Sequence, residues 1–145
     1  MTNILFEVLP AQERRQHDVC VCELIERLWL AGHQVYIHCL DEDMATGLDE
    51  LLWTFHDTSF VPHAVTGGPE AGQAKILLGS AAQPPECVDV LVNLHTEVPY
   101  FFSQFERVVE TTGHDDHSRQ LARERYRYYK TRGYPLSTHN AGQAT

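Results

Sequence analysis

The chain has 145 residues and a mass of 16.5 kDa, with 43% hydrophobic and 21% charged residues, the composition of one globular domain. At this size folding buries roughly 68–70% of the unfolded surface, so a core needs neither disulfides nor metal. Net charge is −9, but six of the eleven basic residues and one of the twenty acids follow residue 118, leaving +5 on the last 27 residues and −14 on the first 118. Such a body repels duplex DNA, and one basic patch on it suits a small anionic target such as an acidic peptide.

No apolar run nears the ~18–20 residues of a membrane span, and the opening segment lacks the pattern of a signal peptide, so a cytoplasmic location is expected. Cys20, Cys22, Cys39 and Cys87 contain no CxxC pair. They fit reduced core thiols better than a disulfide framework or a zinc ribbon.

In chain order, Ile4–Leu9 is an apolar run stopped by Pro10 and predicts a first strand. Cys20, Leu24 and Leu28, flanked by Val21, Ile25 and Trp29, predict a helix from about Glu13 to Ala31 with Gly32 as its stop. Val35–Leu40 is continuous enough for a strand buried on both faces. Asp41 and Asp43 can cap a second helix running to about Phe55, with Leu48, Leu51 and Leu52 inward. Strand, helix, strand, helix is the opening of an α/β domain with a parallel sheet.

The middle is looser. Pro62 interrupts Phe60–Val65, and Thr66–Ala74 is a Gly/Pro loop. Ile76–Leu78 is a short strand, Ala81–Glu86 a turn, and Val88–Leu94 a buried strand. Tyr100–Phe105 predicts a short helix, and Arg107–Thr111 either continues it or forms a strand. His114–Arg132 is the last helix, entered through Asp115 and Asp116 and ended at Gly133. Residues 1–138 then form one domain, and 139–145 a frayed tail.

A sheet of this type invites a nucleotide, but no GxGxxG or GxxxxGK[ST] follows any strand, and Gly67, Gly68 and Gly72 precede a strand rather than a helix. His114 and His117 at a helix start resemble two metal ligands. No third ligand can be nominated, and capping by Asp115 and Asp116 explains the segment. No histidine has a paired nucleophile, and Ser59, Ser80 and Ser118 occupy no nucleophile elbow. Neither catalysis nor a cofactor is indicated.

At about 100° per residue, Arg119, Arg123, Tyr126, Arg127 and Lys130 fall on one arc of the last helix, with Leu121 and Tyr128 opposite. Guanidinium groups around a tyrosine offer bidentate bonds to carboxylates and an apolar seat. A solvated face whose cations oppose the helix dipole explains the same arc, and charge alone does not separate the two. Trp53, Phe55 and Phe60 sit where a helix end passes into a Pro-containing turn. They are either core residues or an exposed cluster marking a protein interface.

The segments LDELLW…SFVPH and QLARERYRYYKTRGYPL, in this order and spacing, resemble the chi subunit of bacterial DNA polymerase III holoenzyme, and the likeness runs through most of the chain. The resemblance implies a single three-layer α/β domain like a mononucleotide-binding, Rossmann-like fold, without nucleotide chemistry. It implies a non-catalytic adaptor of DNA replication. That adaptor, touching DNA only indirectly, pairs with the psi subunit of the clamp loader and grips the acidic C-terminal tail of single-stranded-DNA-binding protein, which presents carboxylates and a terminal Phe. Carried over by motif, the tail-binding positions are Arg119, Arg123, Tyr126 and Thr138, extended by Arg127 and Lys130. Arg119 stands where relatives carry Lys, which keeps the charge and changes the geometry. The psi-facing surface would include Trp53 and Phe60. The competing class is a nucleotide- or metal-dependent enzyme on the same fold. Direct binding of single-stranded DNA is disfavoured by the acidic body.

Overall fold

The computed structural model describes residues 1–56, 61–66, 74–80, 86 and 89–140. Its elements, in order, are β1 (Asn3–Val8), α1 (Arg14–Leu30), β2 (Val35–His38), α2 (Glu42–Thr54), β3 (Ala64–Val65), β4 (Ile76–Gly79), β5 (Val90–Asn93), a 3₁₀ turn (Phe102–Gln104), β6 (Arg107–Thr111), α3 (Asp116–Thr131) and β7 (Leu136–Asn140). The seven strands make one sheet in the order β3-β4-β2-β5-β6-β1-β7, and every pairing is parallel.

Strand alternation divides the core into two layers. Val35, Ile37, Ile76, Leu78, Val90, Val92 and Val109 pack with Val21, Ile25 and Leu28 of α1 and Leu48 and Leu52 of α2. On the other face Tyr36, Leu77, Leu91, Val108, Ile4 and Phe6 pack with Phe101, Phe102, Phe105 and Tyr129. Helices on both faces of a parallel sheet give the three-layer Rossmann-like architecture expected from the sequence. β2, β4 and β5 are buried at every position, which is why they read as unbroken apolar runs.

The helix ends follow local chemistry. Asp41 caps α2 by accepting from Met44 N at 2.8 Å. Asp115 and Ser118 close a reciprocal capping box at α3, with Ser118 N donating to Asp115 Oδ1 at 2.8 Å. Gly32 and Gly133 follow α1 and α3 with φ of +88° and +78°, a conformation that favours glycine.

Several boundaries move. Arg107–Thr111 is a strand, and the helix expected over Tyr100–Phe105 shortens to one 3₁₀ turn. A seventh strand stands where only a tail was expected. Leu136–Asn140 pairs with Ile4–Val8, so the tail boundary after Thr138 is corrected: His139 and Asn140 belong to the sheet, opposite Glu7 and Val8. The inward face of α3 is also corrected. It consists of Ala122, Arg125 and Tyr129, whereas Leu121 and Tyr128 are half-buried flanks. The glycine loop at 67–73, the turn at 81–85, Ser59, Phe60, Cys87, Val88 and 141–145 lie outside the described residues.

Candidate functional site: a cationic groove between α3 and the β1–β7 edge

β1 supplies the floor. Ile4, Phe6 and Val8 alternate onto the α3 side of the sheet, and Thr138 of β7 is the Cα partner of Phe6. α3 crosses above, and the space between forms a groove of about 400 Å³ lined by Phe6, Val8, Leu9, Thr112, Arg119, Ala122, Arg123, Tyr126 and Thr138. The structure therefore brings Arg119, Arg123, Tyr126 and Thr138 to one place, although Thr138 is distant from the others in sequence.

The floor is apolar. Phe6 is buried, and its ring meets Tyr126 edge-on at 5.2 Å and Tyr129 at 6.1 Å. The rim is cationic and lightly held. Arg119 Nη2 lies 3.4 Å from Ala11 O, and Arg123 Nη1 donates to the exposed Gln120 Oε1 at 2.9 Å. Neither guanidinium has a carboxylate partner among the described residues. Two unpaired cations beside an apolar seat can take a ligand carrying both a carboxylate and an apolar group. Arg127 and Lys130 lie farther along α3, exposed and outside the groove lining.

One of the six C-terminal cations is not part of that surface. Arg125 is buried and its Nε donates to Glu110 Oε1 at 2.9 Å, so its charge is spent internally. Tyr129 Oη donates to Glu110 Oε2 at 2.7 Å, and Asn93 Nδ2 donates to the same oxygen at 2.9 Å. Burial pushes the Glu110 carboxyl up, and Arg125, Tyr129 and Asn93 pull it back. Sequence periodicity missed this pair because an arginine on a helix reads as surface.

A second surface surrounds Trp53, which is 47% exposed near the end of α2. Its ring centroid is 4.3 Å from that of His63. His63 Nε2 lies 2.9 Å from Asp49 O and 3.1 Å from Asp49 Oδ1, so the chain returning from α2 is pinned back onto that helix. Phe55 packs partly against the core. Trp53 lies in the α1–α2 layer near the β3 edge, whereas the groove opens on the α3 layer at the β7 edge. Phe60 lies outside the described residues.

A larger crevice of about 1070 Å³ lies beyond the carboxyl ends of β2, β5 and β6, where open α/β sheets commonly hold ligands. Its lining mixes Arg14 and Arg15 with Asp18, Asp43 and Glu50. Among the described residues no group of three His, Cys, Asp or Glu is arranged to hold a metal ion, and no helix is long and apolar enough to cross a membrane.

A family model described as DNA polymerase III chi subunit, HolC, matches residues 1–137. The chain belongs to the DNA polymerase III chi subunit family. Three curated chi subunits are similar over most of their length. The one from Pseudomonas aeruginosa is 37% identical over 139 residues, 96% of both chains. The one from Escherichia coli is 38% identical over 119 residues, 81% of both. The one from Haemophilus influenzae is 33% identical over 122 residues, 83% of this chain and 85% of the relative. Membership in the chi family makes the chain a replication accessory subunit, and the match covers the Trp53 surface and the α3 groove lining except Thr138.

Proposed function

We propose that this chi-family chain is a non-catalytic adaptor of the replisome. It holds the acidic C-terminal tail of single-stranded-DNA-binding protein in the α3 groove, and it joins the psi subunit of the clamp loader through the Trp53 surface. The observation that carries the reading is the convergence of Arg119, Arg123, Tyr126 and Thr138 on one apolar-floored groove. The tail's carboxylates pair with Arg119 and Arg123, and its terminal Phe lies over Phe6, Val8 and Ala122. Arg127 and Lys130 extend the cationic side of α3 toward carboxylates farther up the tail.

The test is a titration of labelled tail peptide against the protein, repeated with a peptide lacking the terminal Phe. Saturable binding to the first and strongly weakened binding to the second support the groove. Equal affinity for both would leave only charge attraction and refute the apolar seat. A pull-down of psi by parent and Trp53→Ala protein tests the other surface.

A further inference from the structure

The inward face of α3 carries a buried charge where a helix on a sheet usually carries only apolar side chains. It buries Ala122, Arg125 and Tyr129, with no Leu, Ile or Val among its fully buried positions. Its apolar contact is aromatic instead, with Tyr129 edge-on to Phe6 and Phe102 and Tyr128 edge-on to Phe102. The two large buried side chains also aim polar atoms at one carboxylate, that of the fully buried Glu110. Arg125 is fixed at its far end as well: Nη1 donates to Thr96 O at 3.1 Å and Nη2 to Thr111 O at 3.3 Å. Asn93 holds the second carboxylate oxygen from β5.

The anchor and the groove share one lateral row of the sheet. Asn93 pairs with Glu110, Glu110 with Phe6, and Phe6 with Thr138. Adjacent strands lie about 4.8 Å apart, so the anchoring carboxylate stands one strand from the aromatic floor. On the helix, Arg125 falls between Arg123 and Tyr126 in sequence and about 100–200° around from them. A small turn of α3 about its axis would therefore move Arg123 and Tyr126 off the Phe6–Thr138 floor.

We propose that the buried Glu110–Arg125 pair, steadied by Tyr129 and Asn93, is a positioning device that sets the rotation and axial register of α3 over the groove. It rests on the reading of the groove as the acidic-tail site. Its value lies in direction rather than stability. Burying two charges costs desolvation that their attraction does little more than offset, and apolar pairs of similar volume commonly replace buried ion pairs without loss of stability. Hydrogen bonds have fixed geometry, and apolar contacts do not.

The experiment uses the full chain and a fluorescent acidic peptide ending in a free C-terminal Phe. The double variant Glu110→Leu/Arg125→Met removes both charges together, so neither is left buried alone. The expected result is a folded protein with a modestly lowered melting temperature, because the buried Tyr129 hydroxyl loses its acceptor, and peptide affinity reduced tenfold or more. Arg123→Ala, expected to weaken the parent about tenfold, should weaken the double variant less than twofold, because Arg123 no longer reaches the peptide. A merely structural pair would leave the Arg123 effect intact. Parent-like affinity with an undiminished Arg123 effect overturns the proposal. Should the double variant fail to fold, Tyr129→Phe removes one donor to Glu110 and keeps the ring. It should then bind several-fold more weakly, with a melting temperature lowered only by the lost hydrogen bond, and parent affinity there overturns the proposal. Absence of peptide binding by the parent itself removes the tail-site reading, and the positioning role with it.

Discussion

Phe6 and Thr138 are cross-strand partners on β1 and β7, and both line the groove beneath α3. Phe6 is buried and Thr138 exposed, so an aromatic floor ends in a polar lip at the open edge of the sheet. A ligand can bury an apolar group over the first while its carboxylate stays within reach of Arg119, Arg123 and the Thr138 hydroxyl. That division matters because a carboxylate buried without donors would cost more than the apolar contact returns.

Arg123→Ala tests the rim. The side chain is exposed and bonds only to Gln120 among the described partners, so stability should change by less than about 0.5 kcal/mol. A hydrogen bond to a charged group is worth about 1.5–3 kcal/mol, which corresponds to roughly a tenfold or greater loss of tail affinity. Peptide titration beside a thermal melt measures both. Unchanged affinity excludes Arg123 from the site.

Salt separates charge from burial at the same groove. The Debye length shortens from about 10 Å at 0.1 M to about 3 Å at 1 M, which weakens exposed ion pairs. Tail affinity should fall steadily across that range and then level at a residue left by the terminal Phe on the Phe6 floor. Salt-independent affinity would mean that the cations of α3 are merely solvated.

Arg125→Leu, without a compensating change at Glu110, should destabilise the fold by about 3–5 kcal/mol, the usual cost of leaving one member of a buried ion pair uncompensated. Urea denaturation reads this directly. The double replacement should recover most of the loss. A single variant as stable as the parent would show that Glu110 is already neutral or solvated.

Much of this architecture was legible in the sequence, for identifiable reasons. Val35–His38 and Val90–Asn93 are buried on both faces and therefore read as unbroken apolar runs. The motif resemblance grouped Thr138 with the α3 residues, which no local pattern could do. β7 was missed because Leu136-Ser-Thr-His-Asn is polar, as an edge strand can be, and has no alternation strong enough to mark it. The groove floor was missed with it, since Phe6 and Val8 become a floor only once β7 and α3 bracket β1. Arg125 reads as surface charge because nothing local reveals that Glu110 lies beneath it. In sequence His139 reads as tail, yet its Nδ1 lies 2.8 Å from Oε2 of the buried Glu7.

Trp53→Ala tests whether the two surfaces act independently. Trp53 is half-exposed on α2 in the layer opposite α3, so its truncation should leave the groove untouched. Sites without shared contacts add in energy. Psi capture should be lost in Trp53→Ala and retained in Arg123→Ala, with tail binding showing the reverse pattern. A Trp53→Ala protein that captures psi normally removes Trp53 from the interface. Loss of both activities with a lowered melting temperature would instead make Trp53 a packing residue through its contact with His63.

His38 gives the fold a pH dependence of defined sign. It is buried at the end of β2, its Nδ1 has no hydrogen-bond partner among the described residues, and its ring stacks on His95 at 5.3 Å. Burial, followed by the neighbouring His95, lowers its pKa from 6.5 to about 4. The native state therefore holds His38 neutral while the unfolded chain protonates it near pH 6.5. Its contribution is fully present above pH 6.5 and is lost as pH falls toward about 4. At about 1.4 kcal/mol per pH unit, the loss across this window is on the order of 3 kcal/mol. Urea midpoints taken at intervals through it should decline with uptake of about one proton on unfolding. His38→Phe, which keeps an aromatic ring in the site and titrates nowhere, should flatten the decline. If the mutant and parent slopes coincide, His38 is not the group responsible, and the loss belongs to carboxylates titrating in the same range.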